Sequence, residues 1–238
     1  MPEGDTIFRA ARALDRALSG RTVTRFTSVF PHLTRVDADA PVRGRTIERV
    51  SSRGKHLLIW FSGDLVLRTH MRMNGSWHIY RCGERWQRPA IEMRVVIATD
   101  AFEAVAFSVP VAAFSTGAGL ERELGGLGPD PLAPGFDRDE AVSRLRARGE
   151  MAIAEALLDQ RAIAGIGNVY KSEILFTAGV SPFTRVEDLS AASLERLVAM
   201  AVRLMRANVG EALASVRPGR PGGRRTTGRL DPSAGLWV

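Results

Sequence analysis

The sequence predicts an α+β chain: an N-terminal helix, an antiparallel β-sandwich domain, and then a helical domain. Three observations carry that expectation. Residues 22–114 hold short β-prone runs separated by turn residues, without helical periodicity between them. Residues 123–135 gather Gly125, Gly126, Gly128, Pro129, Pro131 and Pro134, the composition of a linker. Beyond them every periodic stretch reads as helix.

Taken in order, Ile7, Ala11, Leu14 and Leu18 recur at helical spacing, Asp5 is a candidate cap and Gly20 a candidate stop. The expected strands include Thr22–Phe26, His56–Phe61, Leu65–Thr69, Trp77–Tyr80, Met93–Ala98 and Ala104–Val109. Ser62-Gly63-Asp64 is a hairpin signal between two of them. Helices are expected over Asp137–Arg148, Ile153–Gln160, Val169–Ala178 and Ala191–Asn208. The last carries Leu194, Leu197, Val198, Ala201, Leu204 and Met205 on one stripe, with Ser190 as its cap. The expected organisation is a β-sandwich domain over 1–122, a hinge over 123–136, a helical domain over 137–214 and an Arg/Gly/Pro-rich tail over 215–238.

The 238 residues are 45% apolar and 25% charged, which excludes wholesale disorder. A single cysteine, Cys82, excludes a disulfide framework, a Cys-rich zinc site or an iron–sulfur cluster built from this sequence alone. No apolar run is long enough to span a bilayer and no leader-like segment opens the chain, so no membrane partner and a cytoplasmic location are expected. Lys+Arg exceed Asp+Glu by 33 to 26, and this excess favours a polyanion, nucleic acid above all. Compositional bias toward arginine explains part of it, because Lys55 and Lys171 are the only lysines.

Four constellations carry possible chemistry. Removal of Met1 from Met1-Pro2-Glu3-Gly4-Asp5 leaves Pro2 as a secondary amine able to attack an aldehyde carbon, with Glu3 beside it for acid–base work. A frayed terminus is the plainer account of such a start. Asn168, in Ala164-Gly165-Ile166-Gly167-Asn168-Val169-Tyr170-Lys171, follows a glycine turn and opens a helix whose free N–H groups suit a phosphate, although a generic helical hairpin has the same pattern. Lys55, in the Arg53-Gly54-Lys55-His56 turn, is a compact cation in an arginine-rich chain; a solvated turn charge is its ordinary explanation. In His70-Met71-Arg72-Met73-Asn74-Gly75-Ser76-Trp77 the turn residues put Arg72, Met73 and Asn74 near a strand end, where an apolar side chain can wedge between base steps. A lone methionine belongs more often to the core, and a lone histidine is more often structural.

Together and in this order, these segments resemble the formamidopyrimidine-DNA glycosylase/endonuclease VIII family. The resemblance runs through Pro2-Glu3-Gly4, Arg53-Gly54-Lys55-His56, His70 to Trp77, Leu127-Gly128-Pro129-Asp130, Leu157-Leu158-Asp159-Gln160 and Gly167 to Glu173. It implies a helix–two-turn–helix second domain and a bifunctional DNA glycosylase/AP lyase of base-excision repair. By that resemblance Pro2 is the Schiff-base nucleophile, Glu3 the acid assisting sugar-ring opening, and Lys55 a phosphate-contacting lysine that assists. It makes His70 and Asn168 phosphate ligands and Met73 the filler of the vacated base stack, with Arg72 and Asn74 beside it and Lys171 on the DNA-binding side. The implied partner is damaged double-stranded DNA met by a monomer in the bacterial cytoplasm and nucleoid, with single-stranded DNA left open.

The Gly4-Asp5-Thr6 start, the Leu-Leu-Asp-Gln segment and the absence of an arginine–phenylalanine pair near Ser108-Val109-Pro110-Val111 resemble the actinobacterial endonuclease VIII branch. Oxidised pyrimidines are therefore expected over oxidised purines, the formamidopyrimidine-type alternative. The family ends in a four-cysteine zinc finger, and this sequence has no cysteine after Cys82. No zinc or other cofactor is therefore expected here, and a missing or truncated finger is. The alternative that follows is a catalytically impaired lesion-binding protein, with Arg217, Arg220, Arg224, Arg225 and Arg229 adding non-specific attraction.

Overall fold

A computed structural model describes residues 2–210. The expected arginine tail and everything inferred about a finger lie outside the described residues. The chain divides into two compact units, one of residues 2 and 6–125, the other of residues 3–5 with those from 126 onward.

Helix α1 (Gly4–Leu18), which lies in the first unit from Thr6 onward, is followed by β1 (Arg25–Ser28), α2 (Pro31–Asp39), β2 (Ile47–Arg53), β3 (His56–Phe61) and β4 (Leu65–His70). Then come β5 (Ser76–Arg81), β6 (Met93–Ala98), β7 (Phe102–Phe107), β8 (Val111–Ser115) and α3 (Gly117–Leu124). The strands form two four-stranded antiparallel sheets, ordered β1-β6-β7-β5 and β2-β3-β4-β8. Period-two alternation sends Leu57, Ile59 and Phe61 of β3 and Val95 and Ile97 of β6 into one buried cluster. Ile7, Ala11, Leu14 and Leu18 of α1 join that cluster. The other face of the first sheet buries Tyr80, Val96, Val105 and Phe107 under Trp86 and Met93, so its central strands are apolar on both sides.

Several boundaries differ from expectation, each for a local reason. The helix starts at Gly4, so Asp5 lies in its first turn rather than capping it. Thr22 makes only an isolated bridge to Thr46, and the first strand starts later, at Arg25 opposite Ala98. Strand β7 stops at Phe107 because Ser108 takes φ +51° and turns the chain. Helix α2 escaped notice because Leu33 is its only buried residue, too little for a stripe. Strands β2 and β8 also went unread: β2 is mostly polar, and β8 is short.

In the second unit α4 (Arg138–Arg146), α5 (Ile153–Leu158), α6 (Asn168–Ala178) and α7 (Ala191–Gly210) enclose one apolar cluster. Asp137 caps α4 by accepting the Glu140 N–H at 2.9 Å, and Ser190 Oγ accepts the Ser193 N–H at 3.2 Å ahead of α7. Gly179, at φ +64°, ends α6 in the left-handed conformation. The apolar stripe of α7 is buried at Leu194, Leu197, Val198, Ala201 and Met205. Helix α5 ends at Leu158, two residues early, because Asp159 leaves helical geometry and its carboxylate accepts the Arg161 N–H and pairs with Arg148. Burial works against the Asp159 charge, but that N–H and the Arg148 guanidinium outweigh it and hold the carboxyl below its usual range.

His56 and His70 face each other across β3 and β4, their rings 5.0 Å apart edge to face, and among the described residues His56 Nδ1 has no hydrogen-bond partner. Burial first, then His70, Arg68 and Arg53, push His56 from 6.5 down to about 3. The unfolded chain therefore binds a proton that the folded chain refuses between about pH 6.5 and 3, and stability falls as pH drops through that window. Urea unfolding at a series of pH values should show a shallower loss for His56→Phe than for the unaltered chain. Parallel slopes would mean that His56 protonation is not what the fold resists.

Candidate functional site

In the first unit the expected residues lie at the adjoining ends of β2, β3 and β4. Gly54 and Lys55 form the two-residue turn between β2 and β3, and Gly54 takes φ +58°, a value glycine meets without strain. His70 ends β4 directly opposite His56, the residue after Lys55. Its Nδ1 accepts the Arg72 backbone N–H at 3.1 Å, so the neutral ring carries its proton on Nε2 and is a hydrogen-bond donor there. Burial first, then Arg72, Lys55 and Arg68, lower the His70 pKa and keep the ring neutral at physiological pH. The cations named in that order mark this edge as electropositive.

Beyond His70 the chain makes a tight loop closed by the Gly75 N–H donating to the Met71 carbonyl at 2.9 Å. A Cβ at position 75 would lie 2.5 Å from that oxygen, so only glycine closes the loop. Met71 is buried at 2% exposure while Met73 is 64% exposed, with Arg72 and Asn74 exposed on either side. The ordinary expectation for a lone methionine is thus met by Met71 and reversed at Met73.

Arg88 braces this loop, and nothing in the sequence sets it apart from the other arginines. From the β5–β6 connection it donates to Ser76 Oγ at 3.0 Å and to the Asn74 carbonyl at 3.5 Å, and it pairs with Glu92. Ser108 donates to Glu92 Oε2 at 3.2 Å, which ties the β7–β8 turn to the same group.

In the second unit the decisive residue is Glu3. Its side chain is fully buried, and its carboxylate accepts N–H bonds from Gly167 at 3.0 Å, Val169 at 2.9 Å and Tyr170 at 3.2 Å. These are donors of the first turn of α6, which helix geometry leaves without intrahelical partners and where the dipole favours an anion. The Gly4 N–H donates to the Gly165 carbonyl at 2.9 Å and holds the neighbouring backbone. A Cβ on Gly167 would stand 2.5 Å from Glu3 Cδ, so the approach requires glycine. The helix start expected to offer free N–H groups to a phosphate is therefore occupied in part by the chain's own carboxylate. Asn168 remains exposed at the first position of α6, and Lys171 Nζ donates to its Oδ1 at 3.4 Å.

Pro2 is half-buried and bonded to Glu3. Among the described residues no group of three or more His, Cys, Asp or Glu side chains is placed to hold a metal ion, and no helix is long and apolar enough to cross a membrane. A four-cysteine zinc site does not fit the donor set of this sequence, because Cys82 is its only cysteine. That thiol is exposed and donates to the Thr99 and Asp100 carbonyls.

Comparison with known proteins identifies the family of the chain and its fold. The formamidopyrimidine-DNA glycosylase N-terminal domain matches residues 1–110, and the formamidopyrimidine-DNA glycosylase H2TH domain matches residues 127–217. The chain is 45% identical over 209 residues to a probable endonuclease 8 2 of Streptomyces coelicolor, covering 87% of this chain and 74% of the relative. It is 36% identical over 190 residues to the DNA-(apurinic or apyrimidinic site) lyase Nei2 of Mycolicibacterium smegmatis, covering 79% and 71%. A Lactococcus lactis Fpg solved with DNA containing an abasic site has the same fold, with a TM-score of 0.78 at 21% identity over 90% of this chain and 81% of that one. Two domain matches that span most of the chain, with close relatives among actinobacterial endonuclease 8 proteins, establish that the chain belongs to the formamidopyrimidine-DNA glycosylase/endonuclease VIII family.

Proposed function

We propose that this protein is a bifunctional DNA glycosylase/AP lyase of base-excision repair, acting on oxidised bases with pyrimidines favoured. The observation that carries the proposal is Glu3: a fully buried carboxylate held by three backbone N–H groups immediately after a proline that becomes a free secondary amine once Met1 is removed. A module that only binds DNA needs neither group. The endonuclease 8 and AP lyase names of its relatives point to the same chemistry.

In this reading the Pro2 nitrogen attacks C1′ of the damaged nucleotide and the base departs with a proton. Glu3 assists opening of the sugar ring, and the resulting iminium acidifies the C2′ proton. β-Elimination then expels the 3′ phosphate and δ-elimination the 5′ phosphate. Lys55 contacts the phosphate of the damaged nucleotide and assists. His70, through its Nε2–H, and Asn168 bind flanking phosphates, while Met73 fills the space of the extruded base with Arg72 and Asn74 beside it. Lys171 contributes through its bond to Asn168. The substrate is damaged double-stranded DNA, and the protein acts as a monomer in the bacterial cytoplasm. The second reading is a lesion-binding protein on the same fold without turnover. Multiple-turnover nicking of an abasic duplex separates the two.

Borohydride with an abasic duplex should trap a covalent complex, and Pro2→Gly or an N-terminal extension should trap far less. Equal trapping in all three proteins would remove Pro2 from the chemistry. Met73→Ala and Asn168→Ala should fail differently. Without Met73 the loss should fall on excision of a paired, damaged base more than on cleavage of a pre-formed abasic site, because only the former requires extrusion at a cost of a few kcal/mol. Without Asn168 affinity should weaken alike on every duplex. Proportional losses in Met73→Ala at unchanged affinity would make Met73 a packing residue. Gly167→Ala should lower both thermal stability and excision by forcing Glu3 off α6, at a cost of about 1–3 kcal/mol. Gly126→Ala, where an added Cβ meets nothing within 4 Å, should change neither.

A further inference from the structure

Leu157-Leu158-Asp159-Gln160 was singled out as a resemblance, and the function above gives Gln160 no part. Its side chain nevertheless makes three hydrogen bonds, two to the turn that receives Glu3 and one to the end of α5. Oε1 accepts the Gly165 N–H at 3.0 Å, while Nε2 donates to the Leu158 carbonyl at 2.8 Å and the Ile166 carbonyl at 2.9 Å. The amide orientation is unambiguous, because only the NH2 end can face two carbonyls and only the oxygen can face an N–H. The Gln160 main-chain carbonyl accepts the Gly128 N–H at 2.9 Å, and a Cβ on Gly128 would stand 2.4 Å from the Ala162 carbonyl, so the strut is itself anchored.

The residues Gln160 grips lie next to those that hold Glu3. Gly165, at φ +89°, gives its N–H to Gln160 and its carbonyl to the Gly4 N–H. Ile166 gives its carbonyl to Gln160, and the next N–H, that of Gly167, goes to Glu3 Oε2. Asp159 fixes the base of the strut through the Arg161 N–H and two bonds from Arg148. We infer that Gln160 is a positioning residue for the proposed reaction: by setting the Gly165–Gly167 backbone it sets where the Glu3 carboxylate stands. This rests on the glycosylase reading for its catalytic consequence, not for its geometry.

The test is Gln160→Met, which keeps the side chain's length and removes all three hydrogen bonds. Amide exchange at Gly167 and Val169 should accelerate at least about tenfold, as it should in Glu3→Ala, because the N–H groups lose a fixed acceptor. Single-turnover excision should fall by at least about tenfold, since small misplacements of a reacting group carry penalties of that order. Borohydride trapping on a pre-formed abasic duplex, and duplex affinity, should stay within about twofold. Simple loss of folded protein lowers excision and trapping together, so the ratio isolates positioning. Unchanged exchange, unchanged excision, or equal loss of excision and trapping overturns the inference. An affinity loss that accounts for the excision defect overturns it in favour of an effect through Asn168. If the methionine variant does not fold, Gln160→Glu retains an acceptor for the Gly165 N–H and is judged by the same measurements. Failure of the unaltered protein to excise or trap would defeat the glycosylase reading alone, and the exchange measurement would still decide the positioning role.

Discussion

The arrangement turns on one buried ionic interaction, the Glu3 carboxylate at the N-terminus of α6. Burying a carboxyl group without partners costs several kcal/mol, and here the compensation is three backbone N–H groups that the helix cannot satisfy for itself. Each party relieves the other's deficit. That exchange explains why residues 3–5 belong with the second unit although residue 2 and residues 6–125, on either side of them in sequence, belong to the first. It also explains the glycines: Gly167 lets the carboxylate approach, Gly165 turns the chain at positive φ, and Gly4 admits the Gly165 carbonyl, with 3.0 Å between its virtual Cβ and Gly165 Cα. Pro2, bonded to Glu3, inherits a tether that a frayed terminus lacks.

The first unit solves a different problem, keeping a cationic loop edge ordered. Arg53 is paired with Glu121 and Arg68 with Glu123, which neutralises the flanks of the edge. His56 and His70 remain uncharged between them, since burial and the nearby cations disfavour an added proton. A neutral His70 with its proton on Nε2 offers a donor without adding to the repulsion among Lys55, Arg68 and Arg72. The exposure of Met73 is sustained by the same economy of space, because Met71 fills the core position and Gly75 closes the loop too tightly for any side chain to fold inward.

The fold class, both sheets' central strands and the long helices were legible because hydrophobic periodicity reports burial, and burial decides those elements. His56–Phe61 and Met93–Ala98 match their expected bounds for that reason. The elements that were not legible, α2 and β2, bury too few side chains to leave a pattern. The candidate residues were legible mainly as ordered motifs, since each alone had a plainer account. Arg88 and Gln160 carried no such signal, because what they do lies in hydrogen bonds to turn and loop backbone and to side chains, which hydrophobic spacing does not encode.

The glycine turn before Asn168 shows that an anion-attracting helix start can be filled, in part, from within the chain. Helix N-termini do attract anions, and the motif was read as a place for a phosphate. A carboxylate on the same chain has the advantage of being already there: it pays no translational entropy and needs no desolvated counter-ion. Any phosphate bound near α6 must therefore rely on side chains more than on the helix N–H groups that Glu3 uses. Lys171 donates to Asn168 Oδ1, which leaves the amide NH2 as the outward donor, so the pair presents a donor and a cation together. The helix dipole thus acts on the chain's own carboxylate, and Asn168 and Lys171 pair at the exposed side of the same turn. Two adjacent residues thus differ in kind: the Gly167 backbone serves the buried carboxylate, while the Asn168 side chain stays exposed.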